Sequence, residues 1–347
     1  KKDPNAPKAT YNLSTKERAR RAAQKKLNAA KRRAAKTTKA AEDKRRYARK
    51  LETKIGKVEK ALVGKDTTVI DQGDLDDLPT AVADLVDDAE IVFRPNNGPQ
   101  EEFLSSSERD VLYGGAAGGG KSFALLADPL RFCHNPNHRG LLLRRTLDEL
   151  TELIDKSRQL YVKAFPGAKF RESKSTWVFP SGATIWFTYL DKDKDVTRFQ
   201  GQAFNWIGID EITQYPTPYV WDYLRSRLRA TDPELQQHLY MRCTANPGGV
   251  GGWWVKKTYI EGTPENKPFP AFDVETKKPF VWPAGHEKAG QPLFYRKFVP
   301  ARLTDNPYLM ADGQYEAMLR SLPEVERKRL LEGDWDVAEG AAFPEFS

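Results

Sequence analysis

Short apolar runs alternate with longer amphipathic stretches through most of the chain beyond residue 91. Four of these runs have the length and composition of buried strands. They lie at 111–113, 140–145, 205–209 and 239–244. Helix-compatible sequence follows the first two, over 123–127 and 146–165. Strands that alternate with helices predict an α/β fold whose mainly parallel sheet is covered on both faces.

The pattern changes in three other places. Apolar residues at 177–180 and 183–187 flank a Ser-Gly pair, which indicates a hairpin. Pro and Gly are frequent between 248 and 298 and no period is visible there, so we expect an elaborated loop region. A last helical stretch is predicted over 313–331.

The first 90 residues have a different character. Residues 16–62 are rich in Ala, Lys and Arg and contain no Pro, which favours helix, yet few apolar residues before Leu51 give that helix a face to bury. Residues 1–66 carry 23 Lys and Arg against 7 Asp and Glu, and residues 67–90 carry 8 acidic side chains and no basic one. The net charge of +8 therefore arises from a basic arm and an acidic linker.

Two interpretations of each N-terminal segment stay open. The basic arm is either a solvated helix or a helix that docks on DNA phosphates or on an acidic partner. The acidic linker either shields the arm or forms a short amphipathic helix with apolar residues from Leu75 to Val86.

Composition narrows the class of protein. No apolar run approaches the ~20 residues of a membrane span, and the charged N-terminus does not resemble a secretory signal. Cys133 and Cys243 are too few for a disulfide framework, which fits a reducing cytoplasm. Cys133, His134 and His138 match no standard zinc spacing, and we interpret them as loop residues.

The stretch 115–122 fits the pattern G-x-x-x-x-G-K-[ST] and lies between an apolar run and a helix-compatible run. This is the strand–loop–helix context of a phosphate-binding loop. Its glycines let backbone N–H groups turn toward phosphate oxygens, and the following helix N-terminus adds partial positive charge. The alternative is a flexible glycine-rich turn, which the Lys-Ser spacing and both flanks disfavour.

The expected nucleotide ligands follow from this loop. We expect Lys121 to reach the β- and γ-phosphates and the Ser122 hydroxyl to ligate Mg²⁺. The glycines expected to form the cradle are Gly115, Gly118, Gly119 and Gly120.

Asp210 and Glu211 directly follow the apolar run at 205–209. Hydrolysis of a triphosphate needs a metal ligand and a group that polarises water. We expect Asp210 to hold Mg²⁺ through water and Glu211 to activate the attacking water. The alternative is an acidic helix N-terminus, which the position after a buried strand disfavours.

The charge that develops on the γ-phosphate also requires a cation. The candidate arginines are Arg198, the strand-end pair Arg144 and Arg145, and the set Arg225, Arg227 and Arg229. For each of them the alternative is a surface salt bridge.

Further motifs accompany these residues. They are 98–104 ahead of the phosphate loop, 198–201 ahead of the acidic pair, 244–249 after the next strand, and 305–309, 329–335 and 338–346 near the end. Together with the phosphate loop they resemble the large terminase subunit of tailed double-stranded DNA bacteriophages, the ATPase of the DNA-packaging motor. The resemblance covers residues 92–347 and does not extend to residues 1–90.

The resemblance implies a P-loop NTPase of the additional-strand-catalytic-glutamate type that uses ATP and Mg²⁺ to pump duplex DNA into a procapsid. It implies that Gln100 contacts adenine and that Thr244 and Asn246 sense the γ-phosphate. It also implies that Arg198 reaches the nucleotide of a neighbouring subunit, which requires a homo-oligomeric ring, by analogy a pentamer. The implied partners are double-stranded DNA, the portal protein and the small terminase subunit, in the host cytoplasm at the portal vertex and without a membrane.

On this resemblance the chain divides into a basic arm (1–66), an acidic linker (67–90), an ATPase core (91–296) and a lid subdomain that leads into a linker (297–347). The nuclease domain of the family is expected only beyond residue 347, so we expect no DNA cleavage by these residues. One departure concerns the phosphate loop. Many members of the family carry an arginine within it, whereas here only Gly and Ala precede Lys121.

Two other functions remain as alternatives. A helicase-like DNA-dependent ATPase of the same fold requires further arginine-bearing motifs in a second strand–helix series, and no such series is evident over 248–347. An assembly protein that uses nucleotide only as a conformational switch does not need the water-activating carboxylate of Glu211.

Overall fold

The computed structural model describes residues 92–311 and 313–337, whose strands all belong to one nine-stranded sheet. The predicted basic arm, the acidic linker and the motif at 338–346 lie outside the described residues. No helix in the described part of the chain is long and apolar enough to cross a membrane.

Six parallel strands form the centre of the sheet, and three short antiparallel strands lie at its two edges. The strands are β1 (Asp110–Gly115), β2 (Arg139–Arg144), β3 (Lys169–Arg171), β4 (Thr176–Val178), β5 (Thr184–Tyr189), β6 (Trp206–Ile209), β7 (Tyr240–Ala245), β8 (Phe269–Pro270) and β9 (Tyr295–Ala301). Their order is β3-β4-β5-β2-β6-β7-β1-β9-β8. The α/β fold with a mainly parallel sheet is therefore confirmed, as is the hairpin, which β4 and β5 form.

The described residues also form nine α-helices. They are α1 (Pro99–Ser105), α2 (Lys121–Ala127), α3 (Leu147–Ala164), α4 (Tyr219–Arg225), α5 (Pro233–Gln236), α6 (Gly252–Tyr259), α7 (Pro307–Met310), α8 (Gln314–Arg320) and α9 (Glu324–Arg327). The longest, α3, begins after Thr146, whose hydroxyl accepts a hydrogen bond from the backbone N–H of Glu149. Its buried residues recur at helical spacing, which places one apolar face against the sheet.

Both faces of the sheet carry a hydrophobic core. Side chains alternate along each central strand, so Leu112 and Leu141 belong to one cluster while Tyr113 and Leu142 belong to the other. All four side chains are fully buried. Because helices cover both faces of the sheet, successive side chains of a central strand are all buried. These strands therefore appear in the sequence as continuous apolar runs.

The region from 248 to 298 is more ordered than the sequence predicts. It contains α6, and its end forms most of β9, which pairs in parallel with β1. Arg296 and Lys297 interrupt the apolar pattern by which this strand could be recognised in the sequence, although both side chains are buried. Since β9 continues to Ala301, the sheet crosses the position at which the sequence places the boundary between core and lid.

The helical stretch predicted over 313–331 is divided into shorter helical segments. The chain forms α8, breaks near Pro323, resumes as α9 and ends in a wider turn over Lys328–Glu332. Proline lacks the backbone N–H and clashes with the preceding turn, so a helix does not pass through this position undisturbed.

Candidate nucleotide-binding site

A cavity of about 450 Å³ opens at the carboxyl edge of the parallel strands. The ends of β1, β2, β6 and β7 meet there, because parallel strands all present their carboxyl ends to the same edge. The lining residues include the phosphate loop from Ala117 to Ser122, Arg144, Glu211 and Asn246. Motifs separated by more than a hundred positions in the sequence therefore border one space.

The phosphate loop connects the end of β1 to the start of α2. Gly120, the residue before the helix, adopts the left-handed conformation with φ 78°. A Cβ at this position would lie 2.6 Å from Gln100 Nε2, so only glycine fits without movement of the neighbouring side chain. This backbone turn brings Lys121 to the first position of α2, at the mouth of the loop.

Lys121 is buried at the site and points across the loop. Its Nζ donates to the Ala116 carbonyl (2.5 Å) and to Asn246 Oδ1 (2.8 Å). Burial lowers the pKa of Lys121, whereas the carboxylates of Glu211 and Asp210 act in the opposite direction. The lysine thus joins the phosphate loop to the loop that follows β7.

Gln100 is buried beside the phosphate loop. Its Nε2 donates to the Gly120 carbonyl (2.9 Å), and its Oε1 accepts from the backbone N–H of Asn96 (2.7 Å). The amide therefore fastens the segment ahead of β1 to the end of the phosphate loop. Its contact with adenine remains a prediction.

Asp210 and Glu211 follow β6 and differ in their partners. The Asp210 carboxylate accepts from the Thr244 hydroxyl at one oxygen and from Arg144 Nη1 at the other. Glu211 accepts from Asn246 at both oxygens, from the backbone N–H (2.9 Å) and from Nδ2 (2.8 Å). Two residues at the end of β7 and just beyond it thus orient the two carboxylates after β6.

The backbone and electrostatics of Glu211 set it apart from an ordinary surface carboxylate. Its φ of 51° lies in the left-handed region, which costs a non-glycine residue about 1 kcal/mol. Burial and the adjacent Asp210 raise the pKa of Glu211, while Lys121 and the Asn246 hydrogen bond oppose that rise. Strained and electrostatically perturbed residues of this kind concentrate at functional sites.

Arg144 extends from the end of β2 into the same cavity. Besides its contact with Asp210, its Nε lies 3.6 Å from Glu149 Oε2. Burial acts to lower the pKa of Arg144, but the surrounding carboxylates, first Asp210, raise it overall, so the guanidinium stays charged. Of the candidate arginines, Arg144 is the one that lines the cavity.

The oxygen atoms of Ser122 and Asp210 suit Mg²⁺. Hydroxyl and carboxylate oxygens are hard ligands, and Mg²⁺ commonly takes one or two protein ligands together with water and substrate phosphates. No group of three or more His, Cys, Asp or Glu residues within 92–311 and 313–337 is arranged to hold a metal ion. Ser122, and Asp210 through water, are the residues that would hold the ion.

Comparison with known proteins identifies the family of the chain. The family model described as terminase large subunit, T4likevirus-type, N-terminal, matches residues 112–347. The chain belongs to the large terminase family. A comparison with curated proteins found no match.

Three solved structures are similar to this terminase chain. The large terminase of a thermophilic bacteriophage, solved in complex with ADP, is 16% identical, with a TM-score of 0.48 over 68% of this chain and 53% of that chain. The large terminase ATPase domain of Thermus phage P74-26 is 12% identical, with a TM-score of 0.47 over 70% of this chain and 94% of that chain. The N-terminal domain of the DNA packaging ATPase from bacteriophage phi29 is 16% identical, with a TM-score of 0.37 over 53% of this chain and 94% of that chain. The terminase chain thus spans about half the length of the first of these proteins.

Arg198 lies apart from the cavity of its own terminase chain. It donates to the Thr188 hydroxyl and to the Tyr189 carbonyl (2.6 Å), at the carboxyl end of β5. Three strands separate β5 from β1, a distance of about 19 Å at the usual strand spacing. Arg225 is also remote, since it lies 3.6 Å from Asp110 at the opposite end of β1.

Four polar residues that line the cavity were not predicted as site residues from the sequence. They are Glu152, Lys156, Asn306 and Tyr315. Asn306 Nδ2 donates to the Gly118 carbonyl (2.6 Å), so a residue near the C-terminus contacts the phosphate loop directly. The motif at 305–309 carried a signal for Asn306, whereas Glu152 and Lys156 lie on α3 among other charged residues and carried none.

Proposed function

We propose that this terminase chain hydrolyses ATP and uses that energy to move double-stranded DNA into a procapsid through the portal. One observation carries the proposal. Glu211 is held at both oxygens by Asn246, whose own side-chain oxygen accepts from Lys121 of the phosphate loop. A carboxylate fixed in this way beside a phosphate loop is suited to orient water toward a γ-phosphate.

Each residue has a distinct part in the proposed reaction. Lys121 exchanges its contacts with the loop carbonyls for contacts with the β- and γ-phosphate oxygens. Glu211 accepts a hydrogen bond, and then a proton, from the attacking water, while Asn246 keeps the carboxylate in place. Bound Mg²⁺ supplies charge neutralisation on the phosphates, and Ser122 and Asp210 are the residues that would hold it. Thr244 fixes the orientation of the Asp210 carboxylate.

Arg144 supplies a cation from within the same chain. It lies at the end of β2, lines the cavity, remains charged and contacts Asp210. We assign it the stabilisation of charge on the transferred phosphoryl group, which removes the need for an arginine in the phosphate loop.

Arg198 serves a neighbouring subunit in this account. Its side chain lies outside its own cavity and at the carboxyl edge of the sheet, where a neighbour in a ring would meet it. The ring, by analogy a pentamer, would then complete each site with one arginine from the next chain.

The expected partners are duplex DNA, the portal protein and the small terminase subunit. The basic arm of residues 1–66 is the segment with the charge to contact DNA phosphates. The division at 91–296 and 297–347 into core and lid is retained as a proposal, with β9 shared between them.

Phosphate release from ATP, measured with and without linear duplex DNA, tests the proposal. We expect Mg²⁺-dependent turnover that DNA stimulates. Nucleotide binding without turnover in the presence of DNA and portal would instead favour a nucleotide-dependent switch.

A further inference from the structure

The turn after α9 contacts the loop that follows β7. Arg329 Nε donates to the Pro247 carbonyl (3.0 Å). The next residue, Gly248, has φ 85°, and a Cβ there would lie 2.1 Å from Arg329 Nε. The guanidinium thus occupies the space that any larger side chain at position 248 would need, so the two segments are fitted closely to each other.

This contact lies one residue away from the group that holds Glu211. Asn246 immediately precedes Pro247 and donates to both Glu211 oxygens from its backbone and side chain. Proline restricts the backbone between the two contacts, because its ring fixes φ near about −65°. A displacement of Pro247 as a whole therefore also displaces Asn246, whose two donors hold Glu211.

The same turn also contacts the phosphate loop. The Leu330 carbonyl accepts from the backbone N–H of Ala117 (2.7 Å). A Cβ at Gly333 would lie 2.8 Å from the Ala116 nitrogen, which shows how closely the turn approaches this loop. Two adjacent residues, Arg329 and Leu330, thus touch the β7 loop and the phosphate loop respectively.

We infer that Arg329 is a positioning residue for Glu211. By holding the Pro247 carbonyl while Leu330 holds Ala117, it fixes the distance between the water-orienting carboxylate and the loop that binds the phosphates. This inference rests on the proposed ATP hydrolysis. It goes beyond it by assigning to the C-terminal turn a part in turnover that is separate from nucleotide binding.

Substitution of Arg329 separates an effect on turnover from an effect on nucleotide binding. Substitution of Arg329 by Ala leaves Lys121, Gln100 and the phosphate-loop backbone unchanged, so nucleotide binding is retained. It removes the hydrogen bond to the Pro247 carbonyl and leaves that of the Thr213 hydroxyl to the Asn246 carbonyl (3.2 Å), so we expect Asn246 to hold Glu211 less firmly. Displacement of a catalytic group by about 1 Å costs up to about 100-fold in rate.

The experiment compares Arg329→Ala with Arg320→Ala in ATP turnover, ADP binding and thermal unfolding. Arg320 is a matched control, since it is an exposed arginine of α8 that pairs with Glu316 away from both loops. We expect Arg329→Ala to lower kcat about 10- to 100-fold, with KM and ADP affinity within about twofold of wild type. Arg320→Ala should match wild type, and Arg329→Lys should recover part of kcat, because lysine can donate to the same carbonyl.

Three results would overturn the inference. They are an unchanged kcat in Arg329→Ala, a loss of kcat matched by an equal loss of ADP affinity, and a loss that Arg329→Lys shares in full. If Arg329→Ala fails to fold, Gly248→Ala decides the matter, because it retains the arginine but displaces the guanidinium. A normal kcat in that variant contradicts the inference. Absence of turnover in wild type and in Arg320→Ala would contradict the proposed hydrolysis itself.

Discussion

The guanidinium of Arg144 contacts the Asp210 carboxylate at the oxygen that Thr244 leaves free. This pair joins the ends of the neighbouring strands β2 and β6 and places a permanent positive charge at the edge of the cavity. The phosphate loop contains no arginine, and in the proposed mechanism Arg144 at the end of β2 supplies the positive charge from within the chain.

Substitution of Arg144 by Gln is expected to lower kcat about 100-fold, the usual loss when one charge-stabilising donor is removed from an active site. ADP affinity should change little, since the phosphate loop is intact. Arg145→Gln is the matched control, because Arg145 pairs with Asp193 (2.7 Å) and lies over the Tyr215 ring outside the cavity. Steady-state phosphate release measures both variants, and equal rates for the two would count against the role of Arg144.

Mixed rings test whether Arg198 acts on a neighbouring subunit. Arg198→Ala retains a complete phosphate loop, and Lys121→Ala retains Arg198, so each supplies what the other lacks. We expect both variants to be inactive alone and a mixture to recover part of the ATPase rate from mixed interfaces. Assembly is followed by light scattering in the same samples. Fully assembled mixed rings with no recovered activity would refute action in trans.

Removal of residues 16–60 tests the proposed contact of the basic arm with DNA. Each phosphate that the arm neutralises contributes about −0.9 to the slope of log affinity against log salt. Deletion should therefore flatten the slope measured by fluorescence anisotropy on duplex DNA. An unchanged slope would assign the arm to another partner, of which the portal and the capsid are the leading candidates.

Much of the site follows from the sequence because its residues occur in short contiguous motifs. Lys121, Asp210 and Asn246 each come shortly after the end of an apolar run, and the structure places all three at one edge of the sheet. The rule that parallel strands align their carboxyl ends was enough to bring them together.

The parts that the sequence did not predict depend on contacts between distant segments. β9 was missed because Arg296 and Lys297 interrupt its apolar pattern. In the fold Arg296 lies over the Trp221 ring (4.9 Å), and Lys297 pairs with Glu102, so both charges are accommodated at buried positions. Neither partner is recognisable from the local sequence, and the same holds for the contact between Arg329 and Pro247.

Burial of His138 predicts that the stability of the fold depends on pH. Burial lowers the pKa of His138 to about 4 from its usual 6.5, and its Nδ1 lies 2.9 Å from Asn205 Nδ2. Because the pKa is lower in the folded state, the unfolded chain binds the proton first as pH falls. The contribution of His138 to the free energy of unfolding is therefore fully present above pH 6.5. It is lost as the pH falls toward 4, a loss of about 3 kcal/mol.

Denaturant unfolding at several pH values measures this effect. His138→Gln removes the titrating ring, so its stability should fall less than that of wild type between pH 6.5 and about 4. The difference between the two curves isolates His138 from the carboxylates that titrate in the same range. Parallel curves would show that His138 is not protonated more readily in the unfolded chain.

The central claim is that Glu211 activates water for ATP cleavage at the phosphate loop. Single-turnover formation of ADP from bound ATP tests it in wild type, Glu211→Gln and the surface control Glu172→Gln, which alters an exposed partner of Arg158. Glu211→Gln should bind ATP as wild type does and form ADP at least about 100-fold more slowly, since the amide accepts no proton from water. Glu172→Gln should match wild type. ADP formation by Glu211→Gln at the wild-type rate would contradict the account.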